Sequence, residues 1–206
     1  MRALVTAFEP FGGDRVNASL EALRRLPTQL GEIAVATATL PTSYARALPA
    51  LEAMIERVQP DVVLCVGQAS ERATLCVERV AINVQDAREA DNDGAQPLDA
   101  PVIAGGPSAY FATLPVKAVV AALRSAGLAA EVSNSAGTFV CNHAFYGLMH
   151  YAARRVPRLR AGFLHVPRLP SQPAGTSGAP GMALDDIARG IVIVLEVAAR
   201  DGAAAQ

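Results

Sequence analysis

Apolar residues along this chain fall into two alternating kinds of run. Continuous runs of strand length occur at Arg2–Phe8 (RALVTAF), 32–40 (EIAVATATL), 61–66 (DVVLCV) and Arg160–Val166 (RAGFLHV). Unbroken apolar character at that length fits strands buried on both faces. Between them lie segments of helical period. The segment 19–26 can be capped by Asn17 or Ser19 and is closed by Pro27. The segment 42–58 carries Pro49, which should kink it or split its start. In 113–126, Thr113 is the expected cap, Pro115 lies in the first turn and Gly127 is the stop. The last, 184–200, puts Ile187, Ile191, Val194 and Ala198 on one face. A strand-like run over 129–133 passes through a small polar turn ending at Gly137 into a helix carrying Phe139, Val140, Phe145, Leu148 and Met149.

The run 74–84 (TLCVERVAINV) reads as a further strand, with Glu78 on the same parity as Cys76, Val80 and Ile82. Two long Pro/Gly-rich stretches, 86–108 and 168–181, read as functional loops rather than simple connections. Strands alternating with helices predict an α/β fold: one domain spanning 1–206, a three-layer α/β/α sandwich around a mixed, largely parallel sheet.

Composition narrows the partners. The 206 residues are about half apolar, enough for one sizeable core. The net charge of −1 and the absence of a Lys/Arg run give no footprint for nucleic acid or an anionic membrane. The longest apolar stretch, around 191–199, is interrupted by Glu196 and too short to span a bilayer. The N-terminus passes directly into a strand, without the pattern of a secretory signal. Cys65, Cys76 and Cys141 are odd in number and include no C-x-x-C pair, which favours a reducing, cytoplasmic setting over a disulfide framework. No His, Cys or carboxylate pair has zinc-site spacing, and the Phe8–Gly13 loop lacks G-x-G-x-x-G, so neither a metal nor a dinucleotide cofactor is expected.

The candidate chemistry centres on SNSAGTFVCNHAFYGLMHY, residues 133–151, which places Cys141 in the first turn of a helix. Unpaired N–H groups and the positive end of the helix dipole stabilise an anion there. Such a field can lower a thiol from about 8.5 into the range of about 3.5–7.5. The same N–H groups can hold an oxyanion. The competing reading is a buried structural cysteine. A parallel βαβ crossover from 129–133 through this helix to 160–166 would bring Cys141 and His165 to one carboxyl edge of the sheet. His143 and His150 point elsewhere on the helix. A Cys–His pair works best with a third group orienting the imidazole. Glu78, a carboxylate at an apolar strand position, is the candidate, against a salt bridge to Arg79 or Arg88.

Four blocks together carry a resemblance: TAFEPFGGDRVNAS, VERVAINVQDAREADNDG, SNSAGTFVCNHAFYGL and GFLHVPRLPSQ. In this order they resemble the signatures of the pyroglutamyl peptidase I family, the pyrrolidone-carboxylate peptidases, along nearly the whole chain. The resemblance implies a cytoplasmic cysteine peptidase that removes N-terminal pyroglutamate from peptides, often as a homotetramer, with no cofactor. It implies Cys141 as nucleophile, His165 as base and Glu78 as orienting carboxylate. It also implies a substrate slot in which Phe8 and Phe11 flank the lactam ring, Gln68 lies beside it, and Phe139 and Val140 complete the apolar wall. Arg88 would stand near the cysteine and favour its thiolate. Two positions depart from the family pattern: Ala7 replaces a glycine, and Glu89-Ala90 replaces Ile-Pro, which puts a carboxylate where the slot would be apolar. A binding protein that had kept the aromatic loop but lost the chemistry is therefore the alternative.

Overall fold

The computed structural model describes residues 1–173 and 178–201. Its centre is a seven-stranded sheet. The strands of that sheet are β1 (Arg2–Phe8), β2 (Gln29–Leu30), β3 (Ile33–Leu40), β4 (Val62–Gln68), β5 (Leu75–Glu78), β8 (Ala130–Ser133) and β9 (Arg160–Val166), in the order β2-β3-β1-β4-β9-β5-β8. A separate two-stranded sheet pairs β6 (Val80–Ile82) with β7 (Ala109–Phe111). The helices are α1 (Ala18–Leu23), α2 (Ala47–Val58), α3 (Val116–Ser125), α4 (Val140–Arg155) and α5 (Leu184–Asp201). Among the described residues no helix is long and apolar enough to cross a membrane.

The continuous apolar runs are the central strands. β4 is buried along its whole length, and β1 and β9 along all but their first residue. Each buried Val, Leu, Ile or Phe there contributes about 1.5–3 kcal/mol. Alternate residues divide between two cores. Ala3, Val5, Leu64, Val66 and Leu164 pack with α1, α3 and α5, while Leu4, Phe8, Val63, Cys65 and Phe163 pack with α2 and α4. This is the three-layer sandwich that the alternating pattern predicts.

Several local expectations change. Pro49 does not kink α2; the helix starts at Ala47, so the proline falls in its first turn, where its missing N–H costs nothing, and residues 42–46 form a separate turn. Thr113 does not cap α3, whose N-cap is Pro115 without a side-chain bond. Its hydroxyl instead donates to Leu159 O at 2.9 Å and accepts from Ala161 N at 2.7 Å. The strand predicted over 74–84 is cut in two at Arg79. Arg79 N–H still bonds Ser133 O of β8 (2.8 Å), whereas its carbonyl accepts from Ala112 N (2.9 Å), just beyond β7. The backbone there leaves one sheet for the other.

The largest correction concerns the crossover. β5 lies between β8 and β9, parallel to β8 and antiparallel to β9. The strand before Cys141 therefore runs opposite to the strand carrying His165, and no parallel βαβ unit links them. The turn 134–139 does what the crossover was expected to do: it carries the chain from the end of β8 to the start of α4 at the carboxyl edge of β4 and β9.

α4 is held at that edge by Asn142, which is fully buried. Its Nδ2 donates to Ile82 O and Val84 O, both at 2.9 Å, and its Oδ1 accepts from Ile82 N at 3.1 Å. Asn142→Ala would leave one N–H and two carbonyls without these partners, at a cost of about 2–3 kcal/mol. A denaturant titration should show that loss as a lower midpoint with an unchanged m-value. An unaltered midpoint would mean that β6 does not depend on α4.

Candidate active site

Cys141 is the second residue of α4, whose N-cap, Phe139, is extended and supplies no side-chain bond. The first-turn N–H groups thus face the site without a capping side chain. The thiol rests on β4 at Gly67: a Cβ there would lie 2.8 Å from Cys141 Sγ and 2.8 Å from Phe163 Cζ. Only a residue without a side chain leaves room for both. Gly67 pairs in register with His165 on the parallel neighbour β9. In-register residues of adjacent strands project to the same face, so thiol and imidazole share the carboxyl edge of the sheet.

Glu78 reaches that face from β5, where it pairs with Phe163 while Cys76 pairs with His165. It is completely buried. Its Oε1 lies 2.8 Å from His165 Nδ1 and accepts from Arg72 Nη1 at 2.7 Å; its Oε2 has no partner. With Nδ1 engaged by a carboxylate, Nε2 is the ring nitrogen left to exchange a proton. Neither Arg79 nor Arg88 pairs with Glu78.

The electrostatics differ from a thiolate held in a helix field. Burial pushes the Cys141 thiol up to about 12, the charges of Glu78 and Cys65 add to the rise, and Arg72 opposes it. Burial also lowers His165, although Glu78 pulls it back upward. The resting pair is a neutral thiol beside a neutral imidazole. Local sequence shows the helix start but not the burial that raises the thiol.

The slot residues separate into floor and rim. Phe8 and Val140 are core side chains, with the Phe8 ring 6.3 Å from that of Phe163. Phe11 and Phe139 are half-buried, and their rings approach to 5.6 Å beside Cys141. Tyr44 meets Phe139 edge-on at 5.7 Å. Gln68 is buried and occupied: its Oε1 accepts from Ala18 N (2.6 Å) and its Nε2 donates to Ser70 Oγ (2.9 Å).

The sequence profile described as pyroglutamyl peptidase matches residues 1–201. The chain belongs to the pyroglutamyl peptidase family. It is 52% identical over 198 residues to a pyrrolidone-carboxylate peptidase of Erwinia tasmaniensis, covering 96% of this chain and 90% of that protein. It is 50% identical, over 96% of this chain and 92% of the other, to pyrrolidone-carboxylate peptidase 1 of Ralstonia nicotianae. The crystal structure of Bacillus amyloliquefaciens pyroglutamyl peptidase I superposes with a TM-score of 0.93 at 42% identity, covering 97% of each chain. The pyrrolidone carboxyl peptidase of Thermococcus litoralis gives 0.94 at 36% identity, covering 100% of this chain and 96% of that one.

Within this family member, the cation expected from Arg88 comes from another arginine. Arg88 is exposed and is not among the charges acting on Cys141; the cation that acts on it is Arg72. Arg72 escaped the sequence reading because it sits in a polar turn, with no periodicity to mark which way it faces. Glu89 is exposed, with its carboxylate over Gly12, 3.3 Å from where a Cβ would stand. It pairs with neither Arg88 nor Arg168; the latter is buried and donates to the carbonyls of Leu169, Gln172 and Ala179. The loop around Glu89 is pinned by Asp91, also missed, which accepts from Tyr44 N, Asp93 N and Ala95 N at 2.7–2.9 Å. A buried carboxylate in a run of polar residues carries no sequence signal beyond the turn itself. His143 is a neutral core ring held down to about 4 by burial, edge-on to Tyr44, and His150 bonds Tyr110 Oη at 3.0 Å.

Cys65 and Cys76 are fully buried, whereas Cys141 is half-buried. Iodoacetamide at pH 7 should therefore alkylate Cys141 at least about ten times faster than the other two thiols. Alkylation draws on His165 as base. A lowered imidazole stays neutral until the pH falls below 6.5, so the rate should drop only below that value. Peptide mapping after timed labelling measures both, and equal labelling of all three thiols would contradict the site.

Proposed function

We propose that this chain hydrolyses the peptide bond after an N-terminal pyroglutamate through a thioester on Cys141. The observation that carries the reading is the thiol seated on Gly67 beside a His165–Glu78 pair, in a chain of this family. As Sγ attacks the pyroglutamyl carbonyl carbon, Nε2 of His165 takes the thiol proton. Because both groups rest neutral, proton transfer accompanies attack rather than preceding it. Glu78 accepts from Nδ1–H, fixes the tautomer and stabilises the imidazolium. First-turn N–H groups of α4 meet the oxyanion. The imidazolium then gives its proton to the departing amine. Water, deprotonated by the same nitrogen, attacks the thioester, releases pyroglutamate and restores the thiol.

Pyroglutamate lacks an α-ammonium and a side-chain carboxylate, so it offers a flat neutral ring. The Phe11–Phe139 rim suits that ring, while a free glutamate or glutamine terminus would have to bury a charge unpaired. With the Gln68 side chain committed, the ring N–H and C=O fall to backbone groups. We also propose a homotetrameric assembly in a reducing cytoplasm, on the family resemblance and the three free thiols.

A fluorogenic pyroglutamyl amide, assayed against the prolyl and glutaminyl amides, tests the reaction; selective cleavage of the first is expected. Folded protein that cleaves none of them would favour a binding role. Glu78→Gln should lower kcat by about 10-fold or more with KM little changed, because the carboxylate acts on the imidazolium and not on the substrate. An undiminished kcat would reduce Glu78 to a structural partner of Arg72.

Glu89 gives a separate test. Its exposed carboxylate contributes no apolar wall at the rim beside Phe11. Glu89→Ile should therefore lower KM for pyroglutamyl amides several-fold, with kcat changing less, since ring binding is common to ground and transition states. Steady-state kinetics at fixed pH measures it, and a KM that stays or rises would remove Glu89 from the slot.

A further inference from the structure

Arg72 lies outside the Cys–His–Glu unit, in the turn between β4 and β5, with its own N–H bonded to Ala69 O at 3.0 Å. Its guanidinium joins two parts of the site. Nη1 donates to Glu78 Oε1, the oxygen also bound by His165 Nδ1, and Nη2 donates to Ser135 O at 2.7 Å, in the turn leading to Cys141. We infer that Arg72 is a positioning residue of the catalytic unit, keeping Glu78 ionised so that His165 remains a base, and fixing the turn that delivers Cys141. This rests on the thiol-peptidase reading above.

The argument starts from the buried carboxylate. Glu78 has no exposure, and among the described residues its Oε2 has no partner and its one permanent cation is Arg72, whose side chain is 27% exposed. The other titratable groups on this face are Cys141 of α4, Cys65 of β4 and Cys76 of β5, all thiols raised by burial, with the exposed Glu131 of β8 bonded to Cys76. None of them supplies positive charge. Without the guanidinium, Glu78 would be a buried carboxylate facing a neutral imidazole with no cation beside it, an arrangement that favours its neutral form. A protonated Glu78 donates to Nδ1 instead of accepting from it. That moves the imidazole proton to Nε2, the atom that must accept from the thiol. The second contact adds geometry: a planar fork spanning a carboxylate and a carbonyl fixes their separation as an ammonium cannot.

The experiment compares wild type, Arg72→Gln and Arg72→Lys in two assays over pH: turnover of a pyroglutamyl amide, and iodoacetamide alkylation of Cys141, which needs no substrate. Arg72→Gln should lower kcat at least about 10-fold with KM little changed. It should also move the acid limb of both profiles upward by about one unit or more, since losing a cation raises the proton affinity of the Glu78–His165 pair. Arg72→Lys should restore the limb toward its wild-type position while kcat stays several-fold low. A folded Arg72→Gln protein with an unmoved acid limb overturns the inference, whatever its activity, because a merely structural role would leave the profile in place. Should that variant not fold, Arg72→Lys decides: reduced kcat at unchanged KM supports the role, and wild-type kcat overturns it. If wild type itself turns over no pyroglutamyl amide, the functional reading fails, and the alkylation profiles still test Arg72.

Discussion

The rest of the site depends on one buried charge. Glu78 sits on the short strand β5, wedged between two strands of opposite direction, with no solvent-exposed surface. Removing a carboxylate from water costs several kcal/mol even after relaxation, and only well-placed donors recover it. Two are present, His165 Nδ1 and Arg72 Nη1, both on the same oxygen. Each thereby fixes something else. His165 is held with Nδ1 toward the carboxylate, which leaves Nε2 to exchange a proton. Arg72 draws the turn between β4 and β5 against the turn that precedes α4. The sheet, the helix start and two loops are joined through a single carboxylate oxygen.

Burial also sets the protonation state of the pair. Packing Cys141 onto Gly67 brings the thiol close to β4 and away from water, which raises it; the same seclusion lowers His165. A resting thiolate–imidazolium pair would require two charges in that space. The neutral pair requires none until a substrate carbonyl arrives to receive the electron density. In the proposed reaction the uncapped first turn of α4 would act on the developing oxyanion, a state formed only as the thiol attacks.

The rim proposed to receive the ring is assembled from segments distant in sequence. Phe11 comes from the loop after β1, Phe139 from the residue before α4, and Tyr44 from the turn before α2. Asp91 ties Tyr44 to the loop that carries Glu89, and Asn92 Nδ2 donates to Pro10 O at 3.0 Å. These polar bonds tie the loop that carries Glu89 and Ala90 to the rim.

The sequence by itself determined the layers and the candidate reactive residues. Continuous apolar runs mark doubly buried strands because both faces of a covered sheet exclude water. A cysteine at a helix start, a histidine at a strand end and a glutamate on apolar parity are each legible because local geometry assigns their direction. Tertiary structure decided what depends on neighbours distant in sequence. Alternation shows which side of a strand is buried but not which way the strand runs, so the antiparallel insertion of β5 between β8 and β9 was invisible. Turns carry no period, so nothing in the sequence distinguished Arg72, the cation of the site, from Arg88, which faces solvent. Desolvation sums over everything packed around a group, so the rise of the Cys141 thiol is not legible from the helix start alone.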